Sequence, residues 1–329
     1  MPADAPRYGL GVSNCRSASN VVAAVSEAET LGAEVAFIAE DVNCRDAFQL
    51  CALSASETNR IRLSTGVVNP FTRNPTSLAM AVATLDEVSA GRAQLGVGSS
   101  SPSLIEGQMG IDSRGPVTVM RETTEIVRML LSGQVVTYTG ERFRYREAVL
   151  QVQPVQASVP IYFAAMGPQM LRLAGALADG VLLNVGASTD YVRWAVRHVE
   201  EGAVSAGRDP RDITIAAWLT VYLDDERAGA AKRAREWLAT MLSVPRQGEL
   251  LLKHSGLDTS VLDRIRTHYR AYPHGGDLEA AAAHVPDEFV QQLTLIGDVA
   301  HVRERLQEYS QSGVQLAVMA ISALRAVMS

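Results

Sequence analysis

Short apolar, β-branched runs alternate with longer stretches of helical spacing along nearly the whole chain, and this alternation constrains the fold more than any other feature. The strand-like runs are Tyr8–Ser13, Glu34–Glu40 (EVAFIAE), Ile61–Val68, Arg92–Gly98, Pro160–Ala165, Gly180–Val185, Ile213–Leu223 and Val314–Ala320. Between them, helical spacing is expected over Ser17–Gly32, Asp46–Thr58, Pro75–Ser89, Pro116–Ser132, 168–179, Tyr191–Gly207 and Val299–Ser312. Ser17 or Ser19 suits a helix N-cap, Gly32 a helix stop, and Pro75 a first helical position where its missing N–H costs nothing. Runs such as EVAFIAE, PIYFAA and VQLAVMA are apolar almost throughout, as strands buried on both faces of a parallel sheet must be. Eight such units predict a closed (β/α)8 TIM barrel, an α/β fold, and no G-x-G-x-x-G turn argues for an open doubly wound sheet.

Two stretches break the alternation. Val135–Val152 reads as a hairpin, and residues 224–296 are too long for one crossover, so a helical insertion of about 245–292 is expected between strands seven and eight. The whole chain, 1–329, reads as one domain carrying that insertion.

A net charge of −6 with no cluster of Lys and Arg gives no electrostatic footprint for nucleic acid. No stretch reaches the roughly 18–20 apolar residues of a membrane helix, and the N-terminus has no signal-peptide pattern, so a cytoplasmic protein is expected. Cys15, Cys44 and Cys51 are few and irregularly spaced, and read as buried or incidental thiols rather than a disulfide framework or zinc site. No metal is indicated.

In such a barrel the reactive groups lie on the loops after the carboxyl ends of the strands. Those ends are Ser13-Asn14, Glu40-Asp41, Gly66-Val67-Val68-Asn69, Gly98-Ser99-Ser100, Ala165-Met166-Gly167-Pro168 and Asn184. Small residues crowd them, and no Ser–His–Asp set or Cys–His pair assembles from them. A roomy mouth with little chemistry of its own suits a bound organic cofactor. In AAMGPQMLRLAG a strand ends in small residues and a helix opens at Pro168, a start whose amides suit an anion. In STGVVNPFTRNP, Gly66 interrupts a strand pattern where a bulge or a close backbone approach is expected.

These motifs resemble a known family. TGVVNPFTRNP followed by a helix and SAGRAQLGVG resembles the third and fourth strands of the bacterial luciferase-like superfamily. PIYFAAMGPQMLRLAGALADGVLLN and AEDVNCRDAF are similar to its branch of methylenetetrahydromethanopterin reductases, which use the deazaflavin coenzyme F420, and LIGDVAHVRERLQEYSQSGVQLAVMA resembles the closing unit of the superfamily. The resemblance implies a non-proline cis peptide at Gly66–Val67 backing the ring of the cofactor. It implies a phosphate near Met166 and Gly167, Glu40 beside the ring, and Ser99 and Asn184 in the same pocket. Ser13, Asn69, Gly98 and Ala165 complete the implied cofactor set. Arg73 reads either as an anion clamp or as a structural hydrogen-bond donor.

The chain departs from the reductases in having Gly11 in place of a strand-one glutamate and Asp41 in place of a histidine. The pterin substrate therefore is not carried over. The resemblance implies an F420-dependent oxidoreductase moving a hydride between deazaflavin C5 and a small organic substrate, with Glu40 and Asp41 as proton handlers. An FMN-dependent monooxygenase and a cofactor-binding protein with little catalysis are the alternatives. A homodimer is implied by resemblance only, and His274 and His284 in the insertion read as solvated helix-face residues or substrate contacts.

Overall fold

The computed structural model describes residues 6–183, 186–223, 227–271 and 274–328. Eight parallel strands close a barrel in simple sequential order. They are β1 (Arg7–Val12), β2 (Val35–Ile38), β3 (Arg62–Thr65), β4 (Ala93–Gly98), β5 (Ile161–Ala165), β6 (Gly180–Leu183), β7 (Thr214–Trp218) and β8 (Leu316–Met319). The main helices around it are α1 (Ala18–Leu31), α2 (Ala47–Ser56), α3 (Pro75–Val88), α4 (Pro116–Leu131), α5 (Pro168–Leu177), α6 (Thr189–Ser205) and α7 (Val299–Gln311). The (β/α)8 expectation is borne out.

Local chemistry explains many of the boundaries. Ser17 caps α1 by accepting the Asn20 N–H, and Gly32 closes it in the left-handed region. Asp46 caps α2 through the Gln49 N–H, and Asn74 caps α3 with Pro75 in its first turn. Inward side chains of alternate residues, among them Val35, Phe37, Tyr162, Leu182, Ala216, Leu316 and Val318, fill the barrel. The Phe37 and Tyr162 rings meet edge-on at 5.7 Å, so the interior is a packed core and not a pore.

Two strand boundaries, and two further elements, differ from expectation. β3 stops at Thr65, because the Gly66–Val67 peptide is cis and the chain bulges there. Pairing then resumes only as a bridge from Val68 to Val97. β7 stops at Trp218, because after Leu219 donates its N–H to Val318 the chain leaves the barrel. Val221–Leu223 pairs instead with Leu295–Gly297, a strand the hydrophobic pattern did not announce. A last helix, Ile321–Met328, was also unannounced; its Arg325 holds Glu27 of α1 through two hydrogen bonds. Between residues 227 and 293 the chain is mainly helical, around a separate apolar cluster that includes Leu238, Leu242, Leu262 and Phe289. Among the described residues, no helix is long and apolar enough to cross a membrane.

The hairpin forms from Val136–Thr139 and Arg144–Ala148, antiparallel. It is fastened to α4 by Glu122, a fully buried carboxylate that accepts the N–H groups of Glu141, Arg142 and Phe143 at 2.7–3.0 Å. Burial works against its charged form, but the three amides outweigh it and hold the carboxyl below its ordinary value of 4.5. The charged form is thus favoured by folding, so its stabilisation is full above that value and is lost as pH falls through the lower folded value. Glu122→Gln is expected to cost about 2 kcal/mol near neutral pH, since hydrogen bonds to charged groups are the strong ones. Thermal melts from pH 7 down to 3 check this. The variant's stability falls less steeply below pH 4.5 than the parent's, and parallel curves would contradict the role.

Candidate functional site at the barrel mouth

The loops after β1 and β2 lie side by side, because β1 and β2 are paired neighbours. Asn14, fully buried, fastens them. Its Nδ2 donates to the carbonyls of Asp41, at 3.1 Å, and Arg45, and its Oδ1 accepts the Asp41 N–H at 3.0 Å. Ser13 Oγ donates to Asp41 Oδ2 at 3.1 Å. The same loops are joined by a Cys15–Cys44 disulfide with Cα atoms 5.0 Å apart, and both cysteines are exposed. This corrects the reading of these two residues as buried or incidental thiols. Sequence spacing places them 29 residues apart, and the pairing of β1 with β2 makes them neighbours. Cys51 is the buried free thiol that was expected.

Glu40 and Asp41, adjacent in sequence, point to different partners. Glu40 is half-buried; its Oε2 accepts the Ala47 N–H at 3.1 Å at the start of α2. Arg73 reaches the same carboxylate from the loop before α3, with Nε at 3.2 Å from Oε1 and Nη2 at 3.0 Å from Oε2. Arg73 also bonds Asp46 and lies 5.4 Å over the Phe48 ring. Burial alone lowers the basicity of a guanidinium, but its two carboxylate partners prevail and raise that of Arg73. Of the two readings of Arg73, the structural one holds: its charge is already matched. Asp41 is exposed, with Ser13 Oγ on one carboxylate oxygen.

Opposite, Asn69 is buried and turns the chain by accepting the Phe71 N–H at 2.7 Å. Gly66 keeps its ladder bond to Ile38, N to O 2.7 Å, so the cis peptide sits at the last rung of the sheet. Beyond it, Val67 is half-buried and rests on the barrel core. Gly98 is needed next to it: a Cβ there would lie 2.7 Å from Val67 Cγ2 and 3.0 Å from Ala164 Cβ. Ser99 is half-buried at the rim. Ala165 is buried, and Met166 and Gly167 are half-buried where β5 gives way to α5. The Met166 carbonyl accepts the hydroxyl of buried Tyr191 at 2.8 Å, which fixes this turn. Burial pushes the Tyr191 hydroxyl well above its usual range, so it stays a donor. Among the described residues other than its chain neighbours, the one atom within 4 Å of a Cβ built on Gly167 is Leu250 Cδ1, at 3.9 Å. The first amides of α5 have no acceptor within their own helix, as at every helix start. Asn184 lies outside the described residues.

Trp218, at the end of β7, was missed. Its indole occupies the room left by Gly11, where a Cβ would lie 2.8 Å from Nε1. Among the described residues, Trp218 and Val67 are the partly buried apolar side chains resting on the interior cluster, and they floor the mouth. The sequence carried a signal for this only in the pair: a missing side chain on the first strand and a large one at the end of the seventh. His274 is exposed and hydrogen-bonded to the Tyr269 hydroxyl at 2.9 Å, and His284 stacks on His268 at 5.2 Å.

Residues 4–316 match the model of the luciferase-like monooxygenase family. The chain belongs to that family. Among its relatives in sequence is the 5,10-methylenetetrahydromethanopterin reductase of Archaeoglobus fulgidus, 32% identical over 290 residues, covering 88% of this chain and 86% of that protein. The F420-dependent glucose-6-phosphate dehydrogenase of Beutenbergia cavernae is 32% identical over 195 residues, covering 58% of this chain and 57% of its own. Among solved structures, the coenzyme F420-dependent tetrahydromethanopterin reductase of Methanopyrus kandleri superposes with a TM-score of 0.87 at 27% identity, covering 99% of this chain and 98% of that one. Membership in the luciferase-like family fits a mouth that is floored by apolar groups and ringed by strand ends.

Proposed function

We propose that this protein is an F420-dependent oxidoreductase acting on a small organic substrate. The observation that carries the proposal is that apolar Val67 and Trp218, after β3 and at the end of β7, and an exposed carboxylate, Asp41, after β2, share the end of the barrel where this fold holds its chemistry. Relatives whose names state F420 dependence support it. When bound, the deazaflavin supplies hydride transfer at C5; the chain supplies everything else.

On this reading Val67 backs the ring system, and the glycine at position 98 lets the bulge sit where it does. Ser99 and the Met166–Gly167 turn hold the phosphate, Gly167 contributing room and α5 its first amides. Ser13, Asn69 and Ala165 shape the surrounding wall, and Asn184 is kept as a cofactor contact from β6. The residues fit such a group: among the described residues only Leu250 comes near a Cβ built on Gly167, and the floor side chains, Val67 and Trp218, are apolar. Asp41 handles the proton, since its carboxylate is exposed and oriented by Ser13. Glu40 places Arg73 and the start of α2, and so shapes the pocket rather than exchanging protons. Leu250 faces Gly167 from the helical segment, which we assign as an insertion of about 245–292 in a single domain, set over the mouth. A cytoplasmic homodimer completes the proposal; light scattering behind size exclusion checks the dimer.

The test is a paired titration of the purified protein with F420 and with FMN, followed by tryptophan emission. F420 is expected to bind in the micromolar range or tighter and to quench the emission, with most of the quenching absent in Trp218→Phe. Tight binding of FMN alone would replace the proposal by an FMN-dependent monooxygenase. Binding of F420 without turnover of any acceptor would leave a cofactor carrier.

A further inference from the structure

We infer that Cys15–Cys44 is a thiol–disulfide exchange site through which an external dithiol sets the order of the loops carrying Ser13, Glu40 and Asp41. The inference rests on the proposed cofactor site only for its consequence, not for the exchange itself.

Three observations carry it. First, both cysteines are exposed, so a small or protein dithiol reaches the bond without unfolding. Second, the bridge adds a covalent fastening where a non-covalent one already exists. Asn14 holds the β1 and β2 loops together with three hydrogen bonds, two of them involving the Asp41 backbone. Opening the disulfide therefore leaves the barrel closed and loosens the loops locally. Third, the sulfur lies against the functional carboxylate: Cys15 Sγ is 3.9 Å from Asp41 Oδ2, and the Cys15 N–H donates to Ser13 Oγ, itself the donor to Asp41. On the other side, the Cys15 carbonyl accepts from Arg45 Nη1 at 3.1 Å, one residue after Cys44. Any change in the Cys15 backbone is thus passed to Asp41 through Ser13 and to the approach of α2 through Arg45.

The exchange balances. A thiolate of the dithiol attacks one sulfur of the bridge, and the other leaves as a thiolate and takes a proton. The second thiol of the reductant then closes on the mixed disulfide and releases the remaining cysteine. The dithiol is oxidised to its cyclic disulfide by two electrons, and Cys15 and Cys44 are reduced to thiols. Cys51, buried among Leu50, Phe48 and Ala55, takes no part.

The full-length protein is prepared in an oxidised and a dithiothreitol-reduced form. Thiol counting in denaturant is expected to give one thiol per chain before reduction and three after. Hydrogen exchange followed by mass spectrometry is expected to show faster exchange on reduction in peptides covering residues 13–17 and 40–47, and unchanged exchange in the other barrel strands. The dissociation constant for F420 is expected to rise about fivefold on reduction, at the lower end of couplings between distinct sites. Cys15→Ser/Cys44→Ser should match the reduced form with or without dithiol, and Cys51→Ser should respond as the parent does. Three thiols before any reduction, or identical exchange in the two forms, would overturn the inference. Altered exchange with equal F420 affinity would overturn the coupling. Failure of both forms to bind F420, with altered exchange, would overturn the proposed function and leave the exchange site standing.

Discussion

Asp41→Asn is expected to lower turnover about 100-fold, within the range supplied by a positioned general acid or base, while F420 affinity stays within about threefold. The amide is nearly isosteric and still accepts from Ser13 Oγ, and the backbone bonds to Asn14 do not involve the side chain. Only the exchangeable proton is lost. The measurement is the decay of reduced F420 at saturating acceptor, for whichever small organic acceptor turns over in a screen. Glu40→Gln is the contrast. Glu40 has both oxygens committed to Arg73 and one also to the Ala47 amide, so an amide there leaves Arg73 with one ionic partner, Asp46, in place of two. It should lower thermal stability by about 1–2 kcal/mol, the cost of a lost hydrogen bond to a charged partner, and weaken F420 binding more than it slows the chemical step. If Glu40→Gln abolishes turnover at unchanged affinity while Asp41→Asn is silent, the two assignments are reversed.

The second large effect is structural. Gly175→Val is expected to cost about 3 kcal/mol or more, with the chain accumulating as insoluble material at 37 °C. α5 and α6 touch backbone to backbone: a Cβ on Gly175 would collide with the Val199 carbonyl and lie 2.8 Å from the Ala203 nitrogen. Reciprocally, a Cβ on Gly202 would collide with the Arg172 carbonyl and lie 2.6 Å from its carbon. Neither helix has a flexible side chain to give way, so the strain has no inexpensive outlet. The Met166–Gly167 turn opens α5, and the Tyr191 hydroxyl that fixes it comes from α6, so separating the helices should also weaken F420 binding in any folded fraction. Gly207→Ala is the control. Unlike Gly175, Gly207 is left-handed, and among the described residues nothing lies within 4 Å of a Cβ there, so the loss should stay at about 1 kcal/mol. Equal melting temperatures for Gly175→Val and the parent would show that the two helices slide apart at no cost.

Much of the architecture was legible because it is written in periodicity. Parallel strands buried on both faces need unbroken apolar runs, and VAFI, IYFAA and LAVM are such runs at the positions where strands form. Caps follow the same logic, since Ser17, Asp46 and Asn74 each act on the amide three residues on. The Gly66–Val67 bulge was visible because glycine and two Asn-Pro pairs interrupt a strand pattern, and the family resemblance turned that interruption into a cis bond. What stayed hidden involves partners far apart in the chain. The short strand Leu295–Gly297 has too few residues to carry a period and forms only because Val221–Leu223 leaves the barrel beside it.

The amino-acid sequence by itself determined that this chain closes a parallel eight-stranded barrel and, at β1, β4, β5 and β8, where the strand ends to within about one residue, because both depend on the spacing of apolar and capping residues a few positions apart. What each of those residues touches was decided only by the tertiary structure. Strand pairing brings Cys15 to Cys44 and Arg73 to Glu40, and closing the barrel through β8 brings Trp218 across to Gly11. The reason is physical: charge matching, covalent bridging and the filling of space act over a few ångströms, and the residues involved are separated by 29, 33 and about 200 positions of chain.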